Sequence, residues 1–115
     1  MGVLTTSVMS VSAGAAVTYL VAPCRLVLLG GYCICDDEVG TIDLTVTNTD
    51  TTPVVQMTFD LPATSAAIPT EATVNNTSIF EEGDAIKFNV PAAGAVKQIN
   101  FVIKYDPFLA GVSGA

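Results

Sequence analysis

Thr41-Ile42-Asp43-Leu44-Thr45-Val46-Thr47 alternates polar and apolar side chains without a fault. Successive side chains on an extended backbone point to opposite faces, so this stretch reads as a half-buried strand with Ile42, Leu44 and Val46 inward. Val55-Gln56-Met57-Thr58-Phe59-Asp60-Leu61 repeats the pattern, with Val55, Met57, Phe59 and Leu61 inward and Gln56 outward. Ile86-Lys87-Phe88-Asn89-Val90 is a third case, and Ile99 to Tyr105 a fourth, with Ile99, Phe101, Ile103 and Tyr105 on one face. Val102 interrupts the polar face of that last run, which predicts a strand covered on both sides.

Outward from these, two runs are less regular. Ala16-Val17-Thr18-Tyr19-Leu20-Val21 is β-branched and aromatic and stops at Ala22-Pro23. Arg25 to Leu29 resumes, and Gly30-Gly31 predicts a kink or bulge before Tyr32-Cys33-Ile34-Cys35. A near-continuous apolar run with glycines fits a strand buried on both faces, with a close backbone approach. Ala72 to Phe80 reads as one strand, or as two short ones around Asn75-Asn76.

Turn residues separate the runs. Asp36 to Gly40 and Asn48 to Pro53 read as hairpin loops, Pro91 to Ala95 as another turn, and Leu61 to Thr70 as the longest connection. Glu81-Glu82-Gly83-Asp84 is a tight turn in which Gly83 takes φ > 0. No segment carries the 3.6-residue apolar period of an amphipathic helix. Seven to eight short strands about ten residues apart predict an all-β fold, an antiparallel β-sandwich of jelly-roll-like type.

With 115 residues the chain makes one domain. Residues 13–108 are expected to form the sandwich, and 109–115 a small, Gly-containing exposed tail. Residues 1–12 are expected as an extended N-terminal arm. They carry no charge, and Val3, Leu4, Val8, Met9 and Val11 are interleaved with Thr and Ser. Two readings stand side by side: a frayed terminus or an edge strand of the same sandwich, or an arm that pairs with, or lies across, a neighbouring subunit. On the second, those five residues are the subunit-contact candidates.

Composition excludes several function classes. Charged residues make up 13% of the chain, about half the usual share, against 50% apolar. That is more apolar surface than a small monomer hides, and it predicts an oligomer or a larger assembly. Four Lys and Arg against eleven Asp and Glu give a net charge of -7, the opposite of a nucleic-acid binder. The absence of His removes the usual general base, His-based metal sites and His-dependent nucleophiles. With no Trp either, no enzyme is expected, and no catalytic, cofactor-binding or metal residue is assigned.

Cys24, Cys33 and Cys35 are too few and wrongly spaced for a four-ligand zinc site, and an odd count makes no disulfide framework. They read as reduced, metal-free thiols. The acidic groups Asp36-Asp37-Glu38 and Glu81-Glu82-Gly83-Asp84 lack the spacing of a calcium loop and read as solvated hairpin tips. The two overlapping sequons in Asn75-Asn76-Thr77-Ser78 read as chance matches. Val8 to Cys35 carries only Arg25 as a charge, yet Pro23 and the glycines break it, and its longest uninterrupted apolar run is Leu26 to Leu29. That is far short of a membrane span. None of the first 24 residues is Lys or Arg, so no secretory signal is expected.

The order of features resembles one family. An uncharged N-terminal stretch leads to Ala22-Pro23-Cys24-Arg25-Leu26-Val27-Leu28 and then Gly30-Gly31-Tyr32. An acidic loop, the strand from Thr41 to Val46, Pro69-Thr70-Glu71-Ala72, Phe80 to Phe88 and the closing run Ile99 to Ile103 follow. This is similar to the small β-sandwich decoration (cement) proteins of tailed double-stranded-DNA phages. The resemblance implies a structural virion protein that binds the outer surface of the assembled head and stabilises it. It implies the major capsid protein as partner, a homotrimer near three-fold positions, synthesis in the host cytoplasm, and no catalytic residue. The competing readings are a phage tail or fibre domain that contacts a host receptor, and an extracellular pilus-type subunit assembling by strand donation. A carbohydrate-binding module is disfavoured by an aromatic content of 7% without Trp.

Overall fold

The computed structural model describes residues 2–9, 16–36, 42–61, 68–91 and 98–107. The expected loop tips 37–40 and 92–95, most of the long connection after Leu61, Val11 and the tail 109–115 lie outside them. Nine strands carry the fold among the described residues: β1 (Gly2–Met9), β2 (Ala16–Val21), β3 (Leu26–Cys35), β4 (Ile42–Thr47), β5 (Val55–Leu61), β6 (Thr70–Glu71), β7 (Thr73–Val74), β8 (Ala85–Val90) and β9 (Gln98–Pro107). They form two sheets, a four-stranded one in the order β1-β9-β3-β6 and a five-stranded one in the order β2-β8-β4-β5-β7. All pairings are antiparallel.

The order is that of a folded ribbon rolled into two layers. β1 pairs with β9, β2 with β8, β3 with β6 and β4 with β5, so the two ends of the chain run together and the middle folds back on itself. The rolled ribbon then brings β3 beside β9 and β4 beside β8. This is jelly-roll connectivity; the alternating runs predict the antiparallel sandwich, and the pairings supply its strand order.

The inward rows fall where alternation puts them. Leu44 and Val46, Met57, Phe59 and Leu61, Ile86 and Phe88, and Ile99, Phe101 and Ile103 are all buried. Phe101 of the first sheet joins the layers. Its ring lies 5.4 Å from that of Phe59, edge-on, and 4.9 Å from that of Phe88. Such aromatic pairs add about 0.5–1.5 kcal/mol beyond the area they bury. The turn at Glu81-Asp84 is as expected: Gly83 has φ +89°, Asp84 N–H donates to the Glu81 carbonyl, and Glu81 N–H donates to Asp84 Oδ2.

Two register slips change the alternation locally. In β3 the pairing with β9 shifts between Leu28 and Gly30, so Leu29 is the extra residue of a bulge. Gly30 sits there at φ +147°, and a Cβ on Gly31 would run into the Val102 carbonyl oxygen. The glycine pair therefore does what its position predicts. The expectation that β3 and β9 are buried on both faces is corrected. Leu29, Tyr32 and Val102 are each about two-fifths exposed, because no described element packs on the outer face of the first sheet. In β5, Val46 faces Met57 while Thr47 faces Val55, which leaves Gln56 as the extra residue. The bulge turns Gln56 inward, where it is fully buried, against the expected alternation, and leaves Val55, expected inward, only half-buried.

The N-terminal stretch also differs from the arm expected over residues 1–12. Residues 2–9 form β1 and pair with β9 of the same chain without a slip, from Gly2 opposite Tyr105 to Met9 opposite Gln98. The stretch is the edge strand of the four-stranded sheet, which was the other reading of its composition. Within Ala72 to Phe80 only Thr73–Val74 (β7) is a strand and Phe80 makes a single bridge to Leu26, so no second strand follows Asn75-Asn76; β6 lies ahead of the run, and at Ala72 the chain leaves β3 for β5.

Candidate assembly surface

A two-sheet sandwich has two flanks, each made of one edge strand from each sheet. Here the flanks differ. One consists of β6 and β7, two residues each. The other consists of β1, with eight residues, and β2, with six, which contact one another across the sandwich. Edge strands leave a row of backbone N–H and C=O groups unpaired, and proteins guard them by shortness, charge, proline or bulges. The β6–β7 flank is short and carries Glu71. Gly2–Met9 and Ala16–Val21 contain no charged residue and no proline, and neither strand's pairing is interrupted by a bulge.

The subunit-contact candidates divide along β1. Val3 points outward and is 58% exposed. Leu4 points inward and packs against the core. Val8 and Met9 belong to the strand, opposite Ile99 and Gln98, but their side chains lie outside the described residues, as does all of Val11. β2 supplies further contact candidates that the sequence reading passed over. Val17, Tyr19 and Val21 form its outward row and are 49%, 55% and 64% exposed, while Leu20 turns inward onto the core. The signal was present: this run is as free of charge as residues 1–12.

Continuous with β1 is the outer face of the four-stranded sheet. The register puts Val3 beside Lys104, Thr5 beside Val102 and Val102 beside Tyr32. Tyr32, Ile34, Val102 and Pro69 line a shallow apolar hollow there. Lys104 Nζ lies 5.4 Å from the centre of the Tyr32 ring, and Tyr32 donates its hydroxyl proton to Glu71 Oε2 at 3.2 Å. These contacts hold the aromatic ring in place at the surface.

Other polar groups among the described residues make local contacts. Arg25 and Glu81 form an exposed ion pair at 3.4 Å, a type worth little. Asp43 and Asp60 face each other directly across β4 and β5. A hydrogen bond between their carboxyl groups, together with the repulsion of two like charges, holds the Asp43 carboxyl above the usual carboxylate range. Burial pushes the Cys33 thiol up to about 12, with Cys35 adding to the effect. Burial likewise pushes Cys35 up to about 11, helped by the neighbouring charge of Asp36. Among the described residues no group of three or more His, Cys, Asp or Glu side chains is placed to hold a metal ion.

Fold and surface together define a jelly-roll protein with one unguarded flank and a bare, largely neutral outer sheet face. No family model, no curated protein and no solved structure matches the chain.

Proposed function

We propose that this chain is a structural virion protein that decorates an assembled phage head. One observation carries the reading. The outer face of the four-stranded sheet presents Val3, Tyr32 and Val102 to solvent, with Ile34 half-buried among them, in a chain with a net charge of -7. A contiguous apolar patch is a surface built for a partner, and its near-neutrality lets an acidic protein dock without stacking charge on charge. The jelly roll is a common architecture of viral shell domains, and that analogy of fold raises the weight of the reading without assigning it.

The mechanism needs no reactive group. A rigid sandwich binds the outside of the shell across neighbouring capsid proteins. Because it binds the assembled form and not the separated subunits, mass action favours the closed shell. At a free concentration a hundredfold above Kd, each site adds about 2.7 kcal/mol. The major capsid protein is the partner, and the virion exterior the location. Strand donation by residues 1–12 fits less well, because β1 already fills the position beside β9 in its own chain.

The test is cosedimentation of the purified chain with emptied heads of the phage that encodes it. Wild type should sediment with the heads and not bind unassembled capsid protein. Val102→Lys, at a position already exposed, should keep the thermal transition and lose the heads. Binding that is unchanged in Val102→Lys and Tyr32→Lys, or absent in wild type, would overturn the proposal.

A further inference from the structure

The β1–β2 flank adjoins the sheet face used above and shares Val3 with it, and we infer that this flank is the pairing surface for the same flank of a second copy of this chain. The geometry favours a two-fold. A two-fold axis normal to the sheets carries β1 onto an antiparallel neighbour β1, and it carries β2 towards β2 in the other layer. Both layers end on this side, both in uncharged strands. Head-to-tail pairing has little to work with. The opposite flank offers only two-residue strands, one of them with Glu71, against an edge of eight residues.

Charge points the same way. Two chains of -7 each repel at most approaches. A strip without a charged residue is where the backbones can close to the ~4.8 Å spacing of paired strands. Size is sufficient. Eight residues at ~3.4 Å per residue make an edge about 27 Å long. The molecule is 20 Å through its thinnest dimension. A contact of that length and depth buries about 500 Å² on each copy, and about 1,000 Å² in total is the level a specific interface has to reach. The exposed rows of Val3 and of Val17, Tyr19 and Val21 would flank the new seam in both layers.

The experiment is sedimentation equilibrium of the full chain over a wide concentration range, with three variants. Wild type should have the mass of two chains. Val3→Glu combined with Val17→Glu sets like charges beside the seam and should weaken the dimer at least about tenfold, with an unchanged thermal transition. Val74→Glu, on the opposite flank, should leave the dimer intact. Thr5→Pro and Thr6→Pro separate edge from fold. Successive N–H groups on a strand point to opposite sides, so one of the two removes a donor from the open edge only. That variant should stay folded and monomeric. A wild-type monomer at every concentration, a trimer, or a dimer lost in Val74→Glu but kept in the Val3/Val17 variant would overturn the inference. A two-fold pair departs from the homotrimer that the resemblance implies, and shell binding is read separately, so either result leaves the decoration proposal to its own test.

Discussion

Gln56 provides a direct test of how the sandwich is held at its corner. Its amide lies in the interior, with three hydrogen bonds. Nε2 donates to the Val54 carbonyl at 3.1 Å and to Ser78 Oγ at 3.1 Å, and Oε1 accepts from Ser78 N–H at 3.0 Å. Its carbonyl also accepts from Asn75 N–H and Asn76 N–H, so this residue ties down the segment leading from β7 towards β8, alongside bonds to Thr58, the Val55 carbonyl and Leu26. Gln56→Leu keeps the volume and removes the three side-chain bonds. Each is worth about 0.5–1.5 kcal/mol net, and Ser78, only half-buried, recovers part of the loss from water. The expected destabilisation is therefore about 1–4 kcal/mol, a large share of the ~5–15 kcal/mol that holds a domain of this size together. Gln56→Ala should cost at least as much, since it adds a cavity. Urea unfolding followed by far-ultraviolet circular dichroism measures both. A Gln56→Leu variant within about 0.5 kcal/mol of wild type would show that the site needs bulk and not the amide, and would refute the reasoning.

Further expectations concern other parts of the molecule. Gly31→Ala should destabilise by at least about 1–3 kcal/mol, because the new methyl meets the Val102 carbonyl across β3 and β9; an unchanged urea midpoint would contradict this. At pH 8 a maleimide should label one cysteine quickly in the folded protein, the partly buried Cys24, and all three in guanidinium. Cys33 and Cys35 stay protonated there because their thiols titrate near 12 and 11; three fast labels in the native state would be inconsistent with that burial. Asp43 has a raised pKa in the folded state, so the repulsion across β4 and β5 is absent below the unfolded carboxylate pKa and grows as pH rises through the folded value. Asp60→Asn should accordingly raise Tm at pH 7 and have a smaller effect near pH 4; equal shifts at both would contradict the pairing.

Much of the fold was legible because alternation is a local property. The runs at 41–47, 86–90 and 99–105 needed only their own residues to declare an inward face, and Gly83 declared its turn in the same way. The misses arise where a distant partner decides. Gln56 looks outward by alternation, and only the slip of β5 against β4 turns it in. β3 looks buried on both faces because it is apolar throughout, yet nothing among the described elements covers Leu29 or Tyr32. Composition separates residues 1–12 from the rest. But it does not say that β9, at the far end of the chain, is waiting to pair with them. The assembly surface was half visible for the same reason. Val3 lay in the uncharged stretch already singled out, whereas Val17, Tyr19 and Val21 became conspicuous only once β2 was an edge.

The claim that this is a decoration protein stands most directly on its number in the particle. Virions purified through a density gradient can be digested whole and the chain quantified by mass spectrometry against the shell protein. Decoration predicts hundreds of copies, in a fixed ratio to the shell protein, all removable by protease from outside without opening the head. A handful of copies would place the chain in a tail or fibre, and none at all in intact virions would contradict the account.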